Sequence, residues 1–470
     1  MRATEVAHQD ILLGQNEGGE NMKCRIVTWI IGMTLFSALA LPAPIAAQEE
    51  IQLQAGNLQH YAVTDLGTLG GTFSEAVSVN NKGVVSGSAT LTDGTGHAVI
   101  WQMGLITDIG TPGLGGMNSN NKAFDVNERG QAVGLAETST PDPNGEDFCG
   151  LGTHITCLPF LWQNGAMTPL PTLGGNNGLA IPINNQGQVA GVAENSTLDS
   201  GCAAPSQVLD FEAAIWGPQP GAIQELPPLA GDSVGEALWI NDNGQAVGSS
   251  GSCANTLLPP LAVGPHAVLW ENGSVTDLGN LGGACLGLCE SALLGPFGNT
   301  ALYINNQGQV VGLSALTGET TFHAFLWTRK TGMQDLGTLP GDVASVALSI
   351  NGMGEVVGLS IDASGNTRAF LRQNGVMTDL STLIPADSPV LPIVAELINP
   401  HGEIVGLGLT STFEVHAFLA TPSNSVAGGE SITAGSQSMT NPIALSNYAR
   451  KLLSQRLRFG RFGARPTGPQ

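Results

Sequence analysis

Four histidines fall at one recurring place in this chain, each opening a short apolar run: His97 in HAVIW, His266 in HAVLW, His323 in HAFLW and His416 in HAFLA. Five aspartates recur as regularly a few residues later, Asp65, Asp108, Asp277, Asp335 and Asp379, most of them inside D-L-G. Imidazole and carboxylate could bind a metal or move protons. A metal, however, gathers its ligands within about 2 Å of one point, and equivalent strands of successive repeats cannot converge so closely. The histidines therefore read as structural, and the aspartates as groups that fix the Gly-rich turn after them. PDPNGEDF at 141–148 clusters Asp142, Asn144, Glu146 and Asp147. Its spacing departs from an EF-hand loop, so it reads as a solvated acidic loop, with calcium as the one cofactor to test. No G-x-S-x-G, H-E-x-x-H or paired C-x-x-C is present, and the L-G-T-L-G-G phrases lack the Lys-Ser/Thr of a phosphate loop. No catalytic residue can be named. A glycosidase needs two carboxylates at a set separation, and the sequence does not choose a pair.

What must position these residues is a repeat. Asn80, Asn127, Asn184, Asn241, Asn305, Asn351 and Asn399 each open N-x-x-G-x-x-x-G, at successive spacings of 47, 57, 57, 64, 46 and 48 residues; they number units 1 to 7 below. Asn at the first and Gly at the fourth position suit a type I turn closed by a left-handed Gly. The apolar runs on either side are two antiparallel strands. The HAVIW-type phrase supplies a third strand, an Asn-Gly hairpin follows in several units (Asn164–Gly165, Asn272–Gly273, Asn374–Gly375), and a phrase such as VTDLG supplies the fourth. Four short strands per 45–60 residues is the period of a propeller blade. The expected fold is an all-β, seven-bladed β-propeller. The fourth-strand phrase appears first at Tyr61–Leu69, before unit 1, and is missing after Ala420. The N-terminal strand is therefore expected beside His416–Ala420, closing the last blade and protecting its edge.

The phrases GHAVIW, HAVLW, HAFLW, DLGTLGG and INNQGQVVG resemble the bacterial HAF repeats, over residues 62–423. The resemblance implies an extracellular repeat protein and carries no activity or catalytic residue with it. Units 2 and 3 lack the histidine and unit 6 has Arg368 in its place, which argues against an obligatory ligand.

Composition agrees. Gly is abundant at 64 residues and charged residues make up only 11%, as in turn-rich β proteins. Met22–Arg25, the apolar Ile26–Leu41 and the small residues 43–47 read as a secretory signal cleaved after Ala47, with residues 1–21 a mis-called start. Residues 48–60 read as a linker, 61–423 as the propeller, 424–441 as a second linker and 442–470 as a basic tail that could form a short helix on a membrane surface or lie on the acidic body. Export makes disulfides the expectation for the remaining six cysteines. Local pairing gives Cys149–Cys157 and Cys285–Cys289, which leaves Cys202–Cys253; zinc is the rival reading.

Residues 48–423 carry 33 Asp and Glu against 7 Lys and Arg, a balance that repels nucleic acid. A monomer is expected. The long insertions, 135–158, 192–212, 249–265 and 284–300, all fall where connections leave one face of a meander, opposite the N-x-x-G turns. That face holds the six cysteines and the acidic candidates Asp142, Glu146, Asp147, Asp199, Asp210 and Glu290. It is the expected binding face, for a glycan or another cell-envelope component. The chain is thus expected to be a secreted, non-catalytic binding or scaffold module. The alternatives are a glycan-active hydrolase or lyase using those carboxylates, and a cell-surface structural protein held by its tail.

Overall fold

The computed structural model describes residues 59–202, 207–254, 264–285, 289–291 and 295–423. The proposed signal and the basic tail lie outside them. The described residues are all β, apart from one 3-10 turn at Leu380–Leu383. They form several four-stranded antiparallel sheets with the architecture of a β-propeller. Unit 1 is typical. Its strands Gly70–Val79, Val85–Leu91, Gly96–Gln102 and Leu105–Asp108 pair in sequence order, and units 2 to 6 repeat the meander. In unit 7, Val390–Ile398, Ile404–Thr410 and Val415–Ser423 supply three strands, and the N-terminal His60–Asp65 supplies the outer fourth, with Tyr61 opposite Pro422 and Asp65 opposite Phe418. The sheets of units 7 and 1 share one parallel β-bridge, Phe73 to Val415.

The repeat motif is explained atom by atom. The Asn80 Oδ1 accepts from the backbone N–H groups of Lys82 and Val84 at 2.9 and 3.0 Å, and Gly83 adopts φ +69° to close the turn. The Asn80 Nδ2 then donates to the Asn127 carbonyl of the next unit at 3.0 Å. The same bond runs from Asn127 to Asn184, Asn241, Asn305, Asn351 and Asn399 in turn, and Asn399 donates back to the Asn80 carbonyl at 3.1 Å. Seven asparagines therefore close one circle of hydrogen bonds around the axis. The second motif glycine has another cause. A Cβ on Gly87 would sit 1.9 Å from the Glu75 carbonyl oxygen, and a Cβ on Gly248 1.7 Å from that of Glu236, so the backbones approach too closely for any side chain.

Between sheets the core packs small residues from first and third strands against large ones from third strands, such as Ala237 and Ala213 with Trp270, or Ala347 and Ala324 with Phe370. Trp216 and Trp270 turn their indole N–H groups onto the Pro171 and Pro227 carbonyls at 2.7 Å, satisfying the one polar atom of a buried ring.

Candidate functional site

The histidines and the aspartates prove to be each other's partners. The Nδ1 of His97 lies 2.9 Å from Asp108, that of His323 2.9 Å from Asp335, and that of His416 2.9 Å from Asp65; His266 is 3.5 Å from Asp277. In unit 6, Arg368 meets Asp379 at 3.3 Å and Asp342 at 2.8 Å. The same aspartates accept the N–H two residues on, from Gly67, Gly110, Gly279 and Gly337. Burial alone would raise the Asp108 carboxyl, but hydrogen bonds from His97 and Thr111 hold it below its ordinary value. Each pair joins a third strand to the turn after the fourth, and each is confined to its own sheet.

On the insertion face the six cysteines form three disulfides, Cys149–Cys157, Cys202–Cys253 and Cys285–Cys289. Three disulfides point to an exported or extracellular protein. The PDPNGEDF segment is not a solvated loop. Asp142 and Glu146 are buried, 6% and 0% exposed. Asp142 Oδ1 accepts from the N–H groups of Asn144 and Glu146, and its Oδ2 from the Asn177 side chain at 2.9 Å. Glu146 Oε1 accepts from the Val208 and Leu209 N–H groups at 2.5 and 2.9 Å, across the boundary into unit 3. These oxygens already have N–H donors, because the acidic side chains must satisfy the backbone that the insertions bury.

Of the other acidic candidates, Asp147 and Asp199 are half-buried, Asp210 is 9% exposed, and Glu290 begins in the short hairpin of Cys289–Ser291 with Gly295–Phe297. The Glu290 side chain lies outside the described residues. Burial raises Asp147, against hydrogen bonds from Gly152.

The structure adds residues that the insertions did not flag. Glu194, on the inner pair of unit 3, is fully buried and accepts from the Asn176 and Asn177 N–H groups, the Asn177 amide and the Gln207 amide. Burial first, and nearby Glu146 second, push its carboxyl up to about 7. Glu212 is pushed up to about 8 by burial, then by Glu225 and Asp210. Asp210 rises to about 6 through burial and its neighbour Asp199. The sequence signal was available: Glu212 occupies the place of the repeat's histidine and Glu225 that of its aspartate.

The opposite face holds a cavity of about 380 Å³ on the axis, at the N-x-x-G turns, lined by all seven units. A register shift interrupts each innermost strand beside it. The cavity wall is polar at Ser78, Asp125 and the seven motif asparagines and aromatic at Trp239 and Tyr303, whose rings stack with centroids 4.2 Å apart. Asp125 accepts from the Ser78 hydroxyl at 2.5 Å and from the Ile183 N–H at 2.9 Å.

No protein-family model matches this chain, and no curated protein does. Among solved structures it is similar to a putative gluconolactonase (10% identity, 77% of this chain and 93% of that one, TM-score 0.30). It is also similar to the Aleuria aurantia lectin in complex with a fucosyl disaccharide (9%, 76% and 98%, 0.31). A third is the Trypanosoma rangeli sialidase (10%, 77% and 55%, 0.32), of which the chain covers about half. The chain's own four-stranded sheets and three disulfides define the class, a disulfide-braced β-propeller with an elaborated face.

Proposed function

We propose that this chain is an exported, non-catalytic binding module on a seven-bladed propeller, and that its ligand docks on the insertion-bearing face. The closed circle of seven asparagine bonds supports the blade count. One observation carries the binding reading: the insertions are braced to one another, across unit boundaries. Glu146 of unit 2 holds the Val208–Leu209 backbone of unit 3, Asn177 of unit 3 holds Asp142 of unit 2, and Cys202–Cys253 joins unit 3 to unit 4. Independently drifting loops would each be tied to their own sheet. A braced surface loses little conformational entropy when it binds. A face poor in cations, on a body with 33 acidic against 7 basic residues, suits a neutral, hydroxyl-rich ligand over an anionic polymer. A glycan of the cell envelope is the class to test first.

The axial cavity is the second reading, favoured by its stacked aromatic pair and polar wall. Purified protein on a glycan and peptidoglycan array, with product analysis of each bound species, tests both. Binding lost on replacing residues 137–155 or 198–209 by Gly-Ser links, with Trp239→Ala neutral, supports the insertion face. The reverse pattern moves the site to the axis, and released products would establish a glycan-active enzyme in place of a binding module.

A further inference from the structure

A second circuit of bonds accompanies the asparagine circle. It is made by the residue after each motif asparagine: Asn81, Glu128, Asn185, Asp242, Asn306, Gly352 and Pro400. The Asn81 N–H donates to Glu128 Oε1 at 2.7 Å, the Glu128 N–H to Asn185 Oδ1 at 3.0 Å, the Asn185 N–H to Asp242 Oδ1 at 2.8 Å and the Asp242 N–H to Asn306 Oδ1 at 2.9 Å. The next residue in each turn reinforces the step. The side chains of Lys82, Arg129, Gln186 and Asn243 donate to the carbonyls of Glu128, Asn185, Asp242 and Asn306.

From unit 5 onward the circuit is open. Gly352 has no side chain to accept with, and Pro400 has neither a side-chain acceptor nor an N–H to give. Among the described residues, the Asn306 and Gly352 N–H groups therefore have no acceptor, and the Asn81 and Gln307 side-chain amides make no bond. The Gly352 and Pro400 carbonyls likewise receive no side-chain donor from the preceding unit. These groups rim the axial cavity of about 380 Å³, which the same units line with the half-buried Tyr303 and with Ile350 and Ile398. The ionisable groups of the lining are Asp125, Glu128 and Asp242, and among the described residues no Lys, Arg or His joins them.

We propose that this open arc, the Asn306 and Gly352 N–H groups with the Gln307 and Asn81 amides, binds a single neutral sugar residue in the axial cavity. The arc offers donors and acceptors together, and a hydroxyl group is the ligand group that both accepts and donates. Two neighbouring backbone N–H groups also suit an anion, but a lining of three carboxylates without a cation repels one. The volume lies at the small end of ligand pockets, and the apolar lining beside a few polar groups is their usual composition. This inference deepens the axial reading, on which it rests, by naming its ligand and residues; it is independent of what the insertion face binds.

The experiment is calorimetric titration with glucose, galactose, fucose, N-acetylglucosamine, glucuronate and N-acetylglycinamide, with the Asn306 and Gly352 amide protons followed by heteronuclear NMR. At least one of the four neutral sugars should bind saturably at one site, shift both amide protons, and bind at least about tenfold more tightly than glucuronate or the amide. Gly352→Asn supplies the acceptor that the other units have. Gly352 is not left-handed, and a Cβ there meets only the end of the flexible Gln307 side chain, at 3.3 Å. The variant should fold with an unlowered melting temperature and bind at least about tenfold more weakly. Gln307→Ala, which leaves the backbone untouched, should also weaken binding. The proposal is overturned if none of the four sugars binds, the open groups being then merely hydrated, or if glucuronate or N-acetylglycinamide binds more tightly than every sugar. It is equally overturned if either variant, once folded, binds undiminished. Loss of binding in Trp239→Ala but in neither variant would keep the axial cavity as the site and overturn the open arc alone. Loss on replacing residues 137–155 would move the sugar to the insertion face.

Discussion

Replacing Tyr61 by Ala tests whether the N-terminal strand closes the whole array or merely decorates its edge. Tyr61 is 1% exposed and packs with Val357, Leu371, Leu383, Ile398 and Phe418, drawn from units 6 and 7. A buried aromatic side chain removes about 150–250 Å² from water, which at about 25 cal/mol per Å² is about 4–6 kcal/mol. Large-to-small substitutions of this kind cost about 3–5 kcal/mol, so a loss of about 4 kcal/mol is expected. That is a large part of a typical domain's stability of about 5–15 kcal/mol. The natural reporter lies far away in sequence: six of the seven tryptophans, Trp101, Trp162, Trp216, Trp239, Trp270 and Trp327, belong to units 1 to 5. If His60–Asp65 latches a cooperative ring, guanidinium unfolding followed by tryptophan fluorescence shifts to lower denaturant with unchanged slope, and circular dichroism shifts with it. Tyr61→Phe, which keeps the ring, should retain most of the stability. An unshifted tryptophan transition, with faster amide exchange only at residues 60–65 and 415–423, would refute the reasoning.

Stability should also depend on pH through Glu194. The folded protein holds that proton up to about pH 7, against an ordinary value of 4.5. The folded state therefore binds more protons in this window, and the contribution is complete below about pH 4.5 and lost as pH rises to about 7. At about 1.4 kcal/mol per unit this amounts to about 3 kcal/mol, and Glu212 adds in the same direction up to about pH 8. Denaturant midpoints should fall from pH 4.5 to 7 and fall less steeply in Glu194→Gln, with the Glu212 contribution remaining; a flat wild-type profile contradicts the assignment. Gly248→Ala forces a Cβ to 1.7 Å from a backbone oxygen and should cost more than about 3 kcal/mol, seen as lost soluble yield or a sharply lowered midpoint. Gly94→Ala meets nothing within 4 Å at φ +86° and should cost only about 1–2 kcal/mol. Among the disulfides, Cys202–Cys253 spans 51 residues and Cys149–Cys157 only 8, so chain entropy gives losses of about 4 and 2.5 kcal/mol on paired Ser substitution. Equal losses would count against that mechanism, and non-reducing peptide mapping checks the pairing itself.

The sequence by itself determined whatever repeats locally. N-x-x-G reports a turn because Asn caps its own backbone and Gly alone tolerates the left-handed residue. The out-of-phase Tyr61–Leu69 phrase reports the closing strand because a four-strand period must be completed somewhere. Proximity along the chain gave Cys149–Cys157 and Cys285–Cys289, and Cys202–Cys253 was the pair that remained. What only tertiary structure decided lies between strands and between units. The Asn80 amide finds the Asn127 carbonyl 47 residues on, and the His97 ring finds Asp108 across a hairpin. Neither partnership shows in a run of residues, because it depends on strand register and on the step from one sheet to the next. The same cause misled the reading of PDPNGEDF. Its composition is that of a solvated loop, but the unit 3 insertion covers it, and Glu146 turns inward to satisfy the Val208 and Leu209 N–H groups that this burial would otherwise strand. In unit 3 the register of the third and fourth strands, Ala214 opposite Glu225, puts Glu212 and Glu225 at the places of the histidine and the aspartate, and that follows from pairing across the sheet rather than from spacing along the chain.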